Sequence, residues 1–184
     1  MNPFDRAKTI SKTEGGKTLV IIDMQTGFID GCDATGAENV ICKMVEHARQ
    51  QKWGILVVEF DGYGDTIDSI AQAVGGYEMA HDVVKDHMGG GEEVMECLNR
   101  HPELPRDLVV CGIFGEQCVS RTIYELCLMQ EIPVIDVLED GIAPEYATWD
   151  ANNSSTEEEN TRLVSSSDFG VEVPAVEYGQ PSLA

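Results

Sequence analysis

Short, continuous apolar runs alternate along this chain with longer segments in which apolar residues return every three or four positions. Thr18-Leu19-Val20-Ile21-Ile22-Asp23 is a β-branched run bounded by turn residues, the pattern of a strand buried on both faces. From Glu38 to Lys52, Val40, Ile41, Met44, Val45 and Ala48 recur at helical spacing, while Lys43, Glu46 and Arg49 fall on the opposite side. Gly54 stops that helix, and Ile55-Leu56-Val57-Val58-Glu59-Phe60 reads as a second strand. A turn over Asp61–Asp65, a short helix over Thr66–Val74 and a brief third strand, Asp82-Val83-Val84-Lys85, come next. After the turn Gly89-Gly90-Gly91, the segment Glu92–Arg100 predicts a helix with acids in its first turn, where the helix dipole favours them. Asp107–Gly112 predicts the fourth strand and Pro133–Val137 the fifth. Between them, Cys118–Gln130 predicts a helix with Val119, Thr122, Ile123, Leu126 and Met129 on its buried stripe.

Strands alternating with helices predict an α/β fold. The expected architecture is a doubly wound, Rossmann-like, mostly parallel sheet of five to six strands with helices on both faces and right-handed crossovers. After Gly141 the pattern weakens. Thr156, with Glu159 at the capping-box position, predicts a helix over Glu157–Val164, and Phe169–Val173 reads as a last edge strand. The 184 residues are expected to form one domain, 1–184, with a loose arm at 1–16 and an extended tail at 174–184.

Charge narrows the function. Twelve basic against 33 acidic residues give a net −21, which disfavours nucleic acid and anionic membranes as partners. No apolar run reaches membrane-spanning length, and Met1–Gly16 lacks the apolar core of a signal peptide, so a cytoplasmic protein is expected. The six cysteines contain no CxxC pair, which argues for reduced thiols and against a zinc knuckle or a disulfide framework. Gly15-Gly16-Lys17-Thr18 has the tail of a phosphate-binding loop, but Ser11 stands where its first glycine belongs, and the segment precedes a strand where the motif requires one before it.

Three polar groups fall at carboxyl ends of predicted strands: Asp23 after the first, Lys85 after the third, and Cys118 just past the fourth. In a parallel sheet those ends share one edge, the usual ligand crevice. Cys118 opens a helix, where unpaired N–H groups and the dipole favour a thiolate nucleophile. Each residue also has a plainer reading. Asp23 can be a turn former, Lys85 a surface cation, and Cys118 a small apolar residue packing helix on sheet.

With these residues in order, the chain resembles the isochorismatase-like cysteine hydrolases, a family that includes nicotinamidases and N-carbamoylsarcosine amidases. The resemblance covers about residues 17–142. It rests on Ile22-Asp23-Met24-Gln25-Thr26-Gly27-Phe28, on Val83-Val84-Lys85, and on Gly112-Ile113-Phe114-Gly115-Glu116-Gln117-Cys118-Val119. It implies that Cys118 attacks a carbonyl carbon, that Asp23 moves the proton, and that Lys85 holds the thiolate and orients Asp23. It also implies an oxyanion hole from the backbone N–H groups of Phe114 and Cys118, preceded by a non-proline cis peptide at Ile113–Phe114. A thioester intermediate, a small-molecule amide substrate and a homo-oligomer, dimer or tetramer, follow from the same resemblance. Gln25, Phe28, Phe60, Tyr63, Ile113 and Phe114 are the expected pocket residues.

The chain departs from the family at two places. Gly115-Glu116 stands where Thr-Asp is commonest, which bears on substrate preference. Nicotinamidases carry an Asp-x-His metal motif after the second strand, whereas Asp61-Gly62-Tyr63 occupies that position here. No metal and no cofactor are therefore expected, and His81 and His87, flanking Lys85, lack ligand spacing. Two alternatives to the amidase remain. One is a divergent member that binds small molecules or serves in assembly. The other is a thiol redox protein pairing Cys118 with Cys111. Cys127, about 13 Å along the same straight helix, is too far for a disulfide with Cys118.

Overall fold

The β-branched apolar runs pair because each can bury both faces only inside a sheet covered on both sides by helices. The computed structural model describes residues 16–30, 33–129, 131–143 and 160–173. Its strands are β1 (Thr18–Ile22), β2 (Gly54–Phe60), β3 (Ala80–Lys85), β4 (Leu108–Ile113), β5 (Ile135–Ala143) and β6 (Thr161–Val164). They form one parallel sheet in the order β3-β2-β1-β4-β5-β6. The helices are α1 (Thr26–Ile29), α2 (Thr35–Gln51), α3 (Asp68–Val74), α4 (Gly91–Arg100) and α5 (Ser120–Leu128).

The sheet separates two apolar cores. Odd-numbered residues of β1 and β4, including Leu19, Ile21, Val109, Cys111 and Ile113, pack with the buried stripe of α2. Their even-numbered neighbours, Val20, Ile22, Leu108 and Val110, pack with α4, α5 and Cys118. The expected α2 stripe is buried as read: Val40, Ile41, Met44, Val45 and Ala48 are all at most 5% exposed.

The chain order reverses between β1 and β4, which are neighbours. Loops after these strands leave the sheet in opposite directions and open a crevice at the carboxyl edge. Gly112 makes the close β1–β4 approach possible. Its φ is +141°, and a Cβ there would run into the Ile22 carbonyl. Any side chain at this position would push the two strands apart just below the crevice.

The carboxyl-terminal segment differs from the sequence reading. Thr161–Val164, expected as the end of a helix, is strand β6, parallel to β5. The Ile135 N–H donates to the Asn160 carbonyl at 2.8 Å and starts the pairing. An unpaired β5 edge outweighs the local capping pattern; Glu157–Glu159 lie outside the described residues. Ser166–Phe169 forms a 3₁₀ turn, and Val171–Val173 is not a strand. The expected arm, but for Gly16, and the tail lie outside the described residues. Among the described residues no helix is long and apolar enough to cross a membrane.

Candidate active site

Asp23 follows β1 in left-handed backbone, φ +56°, a conformation costing a non-glycine residue roughly 1–2 kcal/mol. Its N–H donates to the Val58 carbonyl of β2, which fixes the turn over the crevice. The carboxylate is completely buried. Lys85 ends β3, two strands away. Neighbouring strands lie about 4.8 Å apart, so its side chain must cross beneath β2 to reach β1. It does so, passing over the Phe60 ring, with Nζ 4.6 Å from the ring centroid. Nζ then lies 2.8 Å from Asp23 Oδ2. It also donates to the carbonyls of Met88 (2.9 Å) and His87 (3.3 Å), so three acceptors hold the cation. Asp23 is less well served. The lysine approaches off the hydrogen-bonding line, and neither carboxylate oxygen receives a well-aligned hydrogen bond among the described residues.

After β4 the chain turns at Phe114, again in left-handed backbone at φ +58°. Gly115–Val119 forms a single π-helical turn that feeds α5. The helix therefore begins differently from the expected start at Cys118, and the cysteine lies within the wider turn. The Thr122 hydroxyl donates to the Cys118 carbonyl at 2.8 Å and ties the turn to α5. The Cys118 thiol lies near enough to Asp23 and Lys85 to feel both charges.

The three strand-end groups thus meet, but their electrostatics differ from the expectation of a ready thiolate. Burial pushes the Cys118 thiol up to about 12, the adjacent Asp23 carboxylate pushes in the same direction, and Lys85 opposes them. Asp23 is itself raised, first by burial, against the lowering effect of Lys85 and the thiol. Both groups hold protons more tightly than usual because separated charge is costly in this buried site.

The expected pocket residues divide. Phe28, Phe60, Tyr63 and Phe114 form one aromatic cluster. Phe28 stacks on Tyr63 at 4.3 Å and meets Phe114 edge-on at 5.3 Å, and Phe60 meets Tyr63 at 5.0 Å. Gln25 does not present its amide to a pocket. Its Nε2 donates to the carbonyls of Phe60 (3.1 Å) and Gly64 (2.6 Å), and its Oε1 accepts the Phe60 N–H (2.7 Å). The side chain joins the β1 end to the loop that carries Tyr63. Ile113 is fully buried in the α2-side core and lines no accessible wall. Of the two expected backbone donors, the Phe114 N–H is occupied by the Ala143 carbonyl. Spacing along the chain gives no signal for that contact, since it comes from the far end of β5. Cys111 belongs to the α2-side core and Cys118 to the other, so the sheet stands between the two sulfurs and removes the suggested redox partner.

The sequence matches no family model and no curated protein. Solved structures do match. Against N-carbamoylsarcosine amidase from Thermoplasma acidophilum the TM-score is 0.67 at 18% identity, over 88% of this chain and all of that one. Against an isochorismatase from Pseudomonas putida it is 0.67 at 17% identity, over 83% and 89%. Against the MAR1 ribonuclease from Caenorhabditis elegans it is 0.59 at 18% identity, over 69% of this chain and 64% of that one. Strand order, crevice and these likenesses lead to one conclusion: the chain has the isochorismatase-like α/β fold.

Proposed function

We propose that this chain is a cysteine-dependent hydrolase that cleaves the C–N bond of a small amide or carbamoyl compound. The observation that supports this reading is the buried meeting of Cys118, Asp23 and Lys85, with the carboxylate short of hydrogen bonds and the thiol at its side. A carboxylate in that condition is a proton acceptor waiting for a proton.

The chemistry runs without a free thiolate. As sulfur attacks the carbonyl carbon, the thiol proton moves to Asp23, and a C–S bond forms while the C=O π pair moves to oxygen. Lys85, beside Asp23, compensates whichever neighbour is negative. Collapse of the tetrahedral intermediate breaks the C–N bond, and Asp23 gives its proton to the departing nitrogen. This leaves a thioester. Water then attacks the thioester, Asp23 takes its proton and returns it to sulfur, and the acid product leaves. The oxyanion needs donors: the Cys118 N–H is one, and the Phe114 N–H becomes the second when substrate draws it from the Ala143 carbonyl. The aromatic cluster beside Lys85 favours a substrate with a planar or apolar portion. An RNA substrate, as the name of one neighbour would suggest, meets a net charge of −21. The chain is further proposed to act as a homo-oligomer, which sedimentation of the purified protein measures.

A panel of small amides and carbamoyl compounds, assayed for ammonia or amine release with wild type and Cys118→Ala, tests the reaction. Turnover that disappears in the variant is expected; turnover that survives it rejects the mechanism. A second reading, a small-molecule binder without turnover, is favoured by the occupied Phe114 N–H. It gains the field if the panel yields saturable binding and no product.

A further inference from the structure

The opposite half of β3 carries a second cluster. His81 is the second residue of that strand, four positions before Lys85, so about 13 Å of strand separates it from the lysine. His101 is the residue that ends α4, and Glu103 lies in the connection to β4. The two imidazole rings overlap with centroids 3.7 Å apart and planes tilted by 30°. His101 Nδ1 lies 3.2 Å from Glu103 Oε1. One ligand atom from each of the three side chains falls within 4.8 Å of the other two. His81 Nε2 is buried from solvent and has no hydrogen-bond partner among the described residues. A buried imidazole nitrogen without a partner is costly, and the three side chains lie close enough for small ring rotations to bring their donors onto one ion.

We propose that His81, His101 and Glu103 form a binding site for a divalent transition-metal ion of the zinc type. Two imidazoles and one carboxylate are the donor set such ions prefer, whereas magnesium and calcium require oxygen donors. The 3.2 Å separation of the His101 and Glu103 atoms is close to the edge of a tetrahedron with bonds of about 2.0 Å. Glu103 is exposed, so its side chain is free to close on an ion. The imidazoles must be neutral to bind. Three protein ligands leave a fourth position for water. The site is far from the crevice, and its effect is mechanical: it ties β3, the outer strand of the sheet, to the α4–β4 connection. The nineteen residues between the two histidines hide this pairing from any reading of local spacing.

The test is a Zn²⁺ titration of the chelator-treated full chain by calorimetry, in the Cys118→Ala background so that the reactive thiol does not compete. One equivalent bound with micromolar or tighter affinity, together with a raised melting temperature, is expected. His81→Asn and His101→Asn should each weaken it at least tenfold, and Glu103→Gln less. Asp86→Asn and His87→Asn, in the separate carboxylate–histidine group beside Lys85, should leave it unchanged. Undiminished affinity in the His81→Asn/His101→Asn double variant, or no binding tighter than millimolar with both histidines present, overturns the proposal. If a histidine variant fails to fold, the Co²⁺ spectrum of the Cys118→Ala chain with both histidines present decides. Nitrogen and oxygen ligation without a thiolate charge-transfer band supports the site, and a thiolate band overturns it.

Discussion

Two buried aspartates at opposite ends of the sheet have been given different surroundings. Asp136, near the start of β5, is 1% exposed and fully engaged. Lys17 donates to its Oδ2 at 3.0 Å, and Arg162 of β6 makes a two-point contact at 2.7 and 3.0 Å. Asp23, after β1, is buried at least as deeply, yet it has one cation at an oblique angle and a thiol. The first carboxylate is saturated with donors and has no further chemistry to offer. The second is held near its lysine with lone pairs unused among the described residues, and burial raises its proton affinity. The difference separates an ion pair that fastens strands from one that moves a proton, a distinction that burial alone does not make.

The strongest test exchanges the charge at each position for an amide. Asp136→Asn leaves the buried Lys17 without its carboxylate, and a loss of about 3 kcal/mol or more is expected in denaturant titration. The folded fraction should keep its activity per molecule. Asp23→Asn should do the reverse: turnover falls by roughly 10²–10⁴-fold, the range for losing a general acid–base group, with a smaller loss of stability because two carbonyls still hold Lys85. If Asp23→Asn unfolds the protein while Asp136→Asn silences it, the comparison is inverted.

A second, smaller effect sharpens the reading of the Asp23 site. Since Asp23 raises the Cys118 thiol and Lys85 lowers it, Asp23→Asn should bring the pKa down from about 12 and Lys85→Met should push it further up. Alkylation rates followed by mass spectrometry across pH measure both shifts. Equal rates in all three proteins would mean that the thiol does not sense the pair.

The smallest effect concerns alkaline stability. The folded pKa of Cys118 lies above its ordinary value of 9.0, so between about pH 9 and 12 the unfolded chain releases a proton that the folded one retains. Stability therefore falls as pH rises through that window. Cys118→Ala should flatten the fall in part. Cys111, also raised by burial, retains its share in both proteins. Identical pH profiles for wild type and variant would contradict the raised thiol.

The sequence made the sheet and the strand-end groups legible because β-branched runs and chain order are local signals. Asp23, Lys85 and Cys118 were readable as soon as the strands before them were. The rest depended on contacts between distant residues. Thr161–Val164 is too short for its own periodicity to oppose a capping pattern, and its strand state comes from the β5 edge. Gln25 was an expected pocket residue, but its partners, Phe60 and Gly64, are visible only in three dimensions. The direction of the Cys118 shift was missed for a related reason. A helix start favours the thiolate, but the depth of burial and the neighbouring carboxylate outweigh it. Asp136 gave no signal at all, being one acidic residue among 33.

The order β3-β2-β1-β4-β5-β6 also has a kinetic consequence. Every strand pair in it is parallel, so each pairing closes a long loop before it is rewarded, and such topologies fold slowly. The crevice draws on the ends of β1 and β3 and on the turn after β4, so no early fragment of the sheet contains it. Helices can form in microseconds from local sequence. After dilution from denaturant, the return of helical signal should therefore precede the return of any function that the crevice performs.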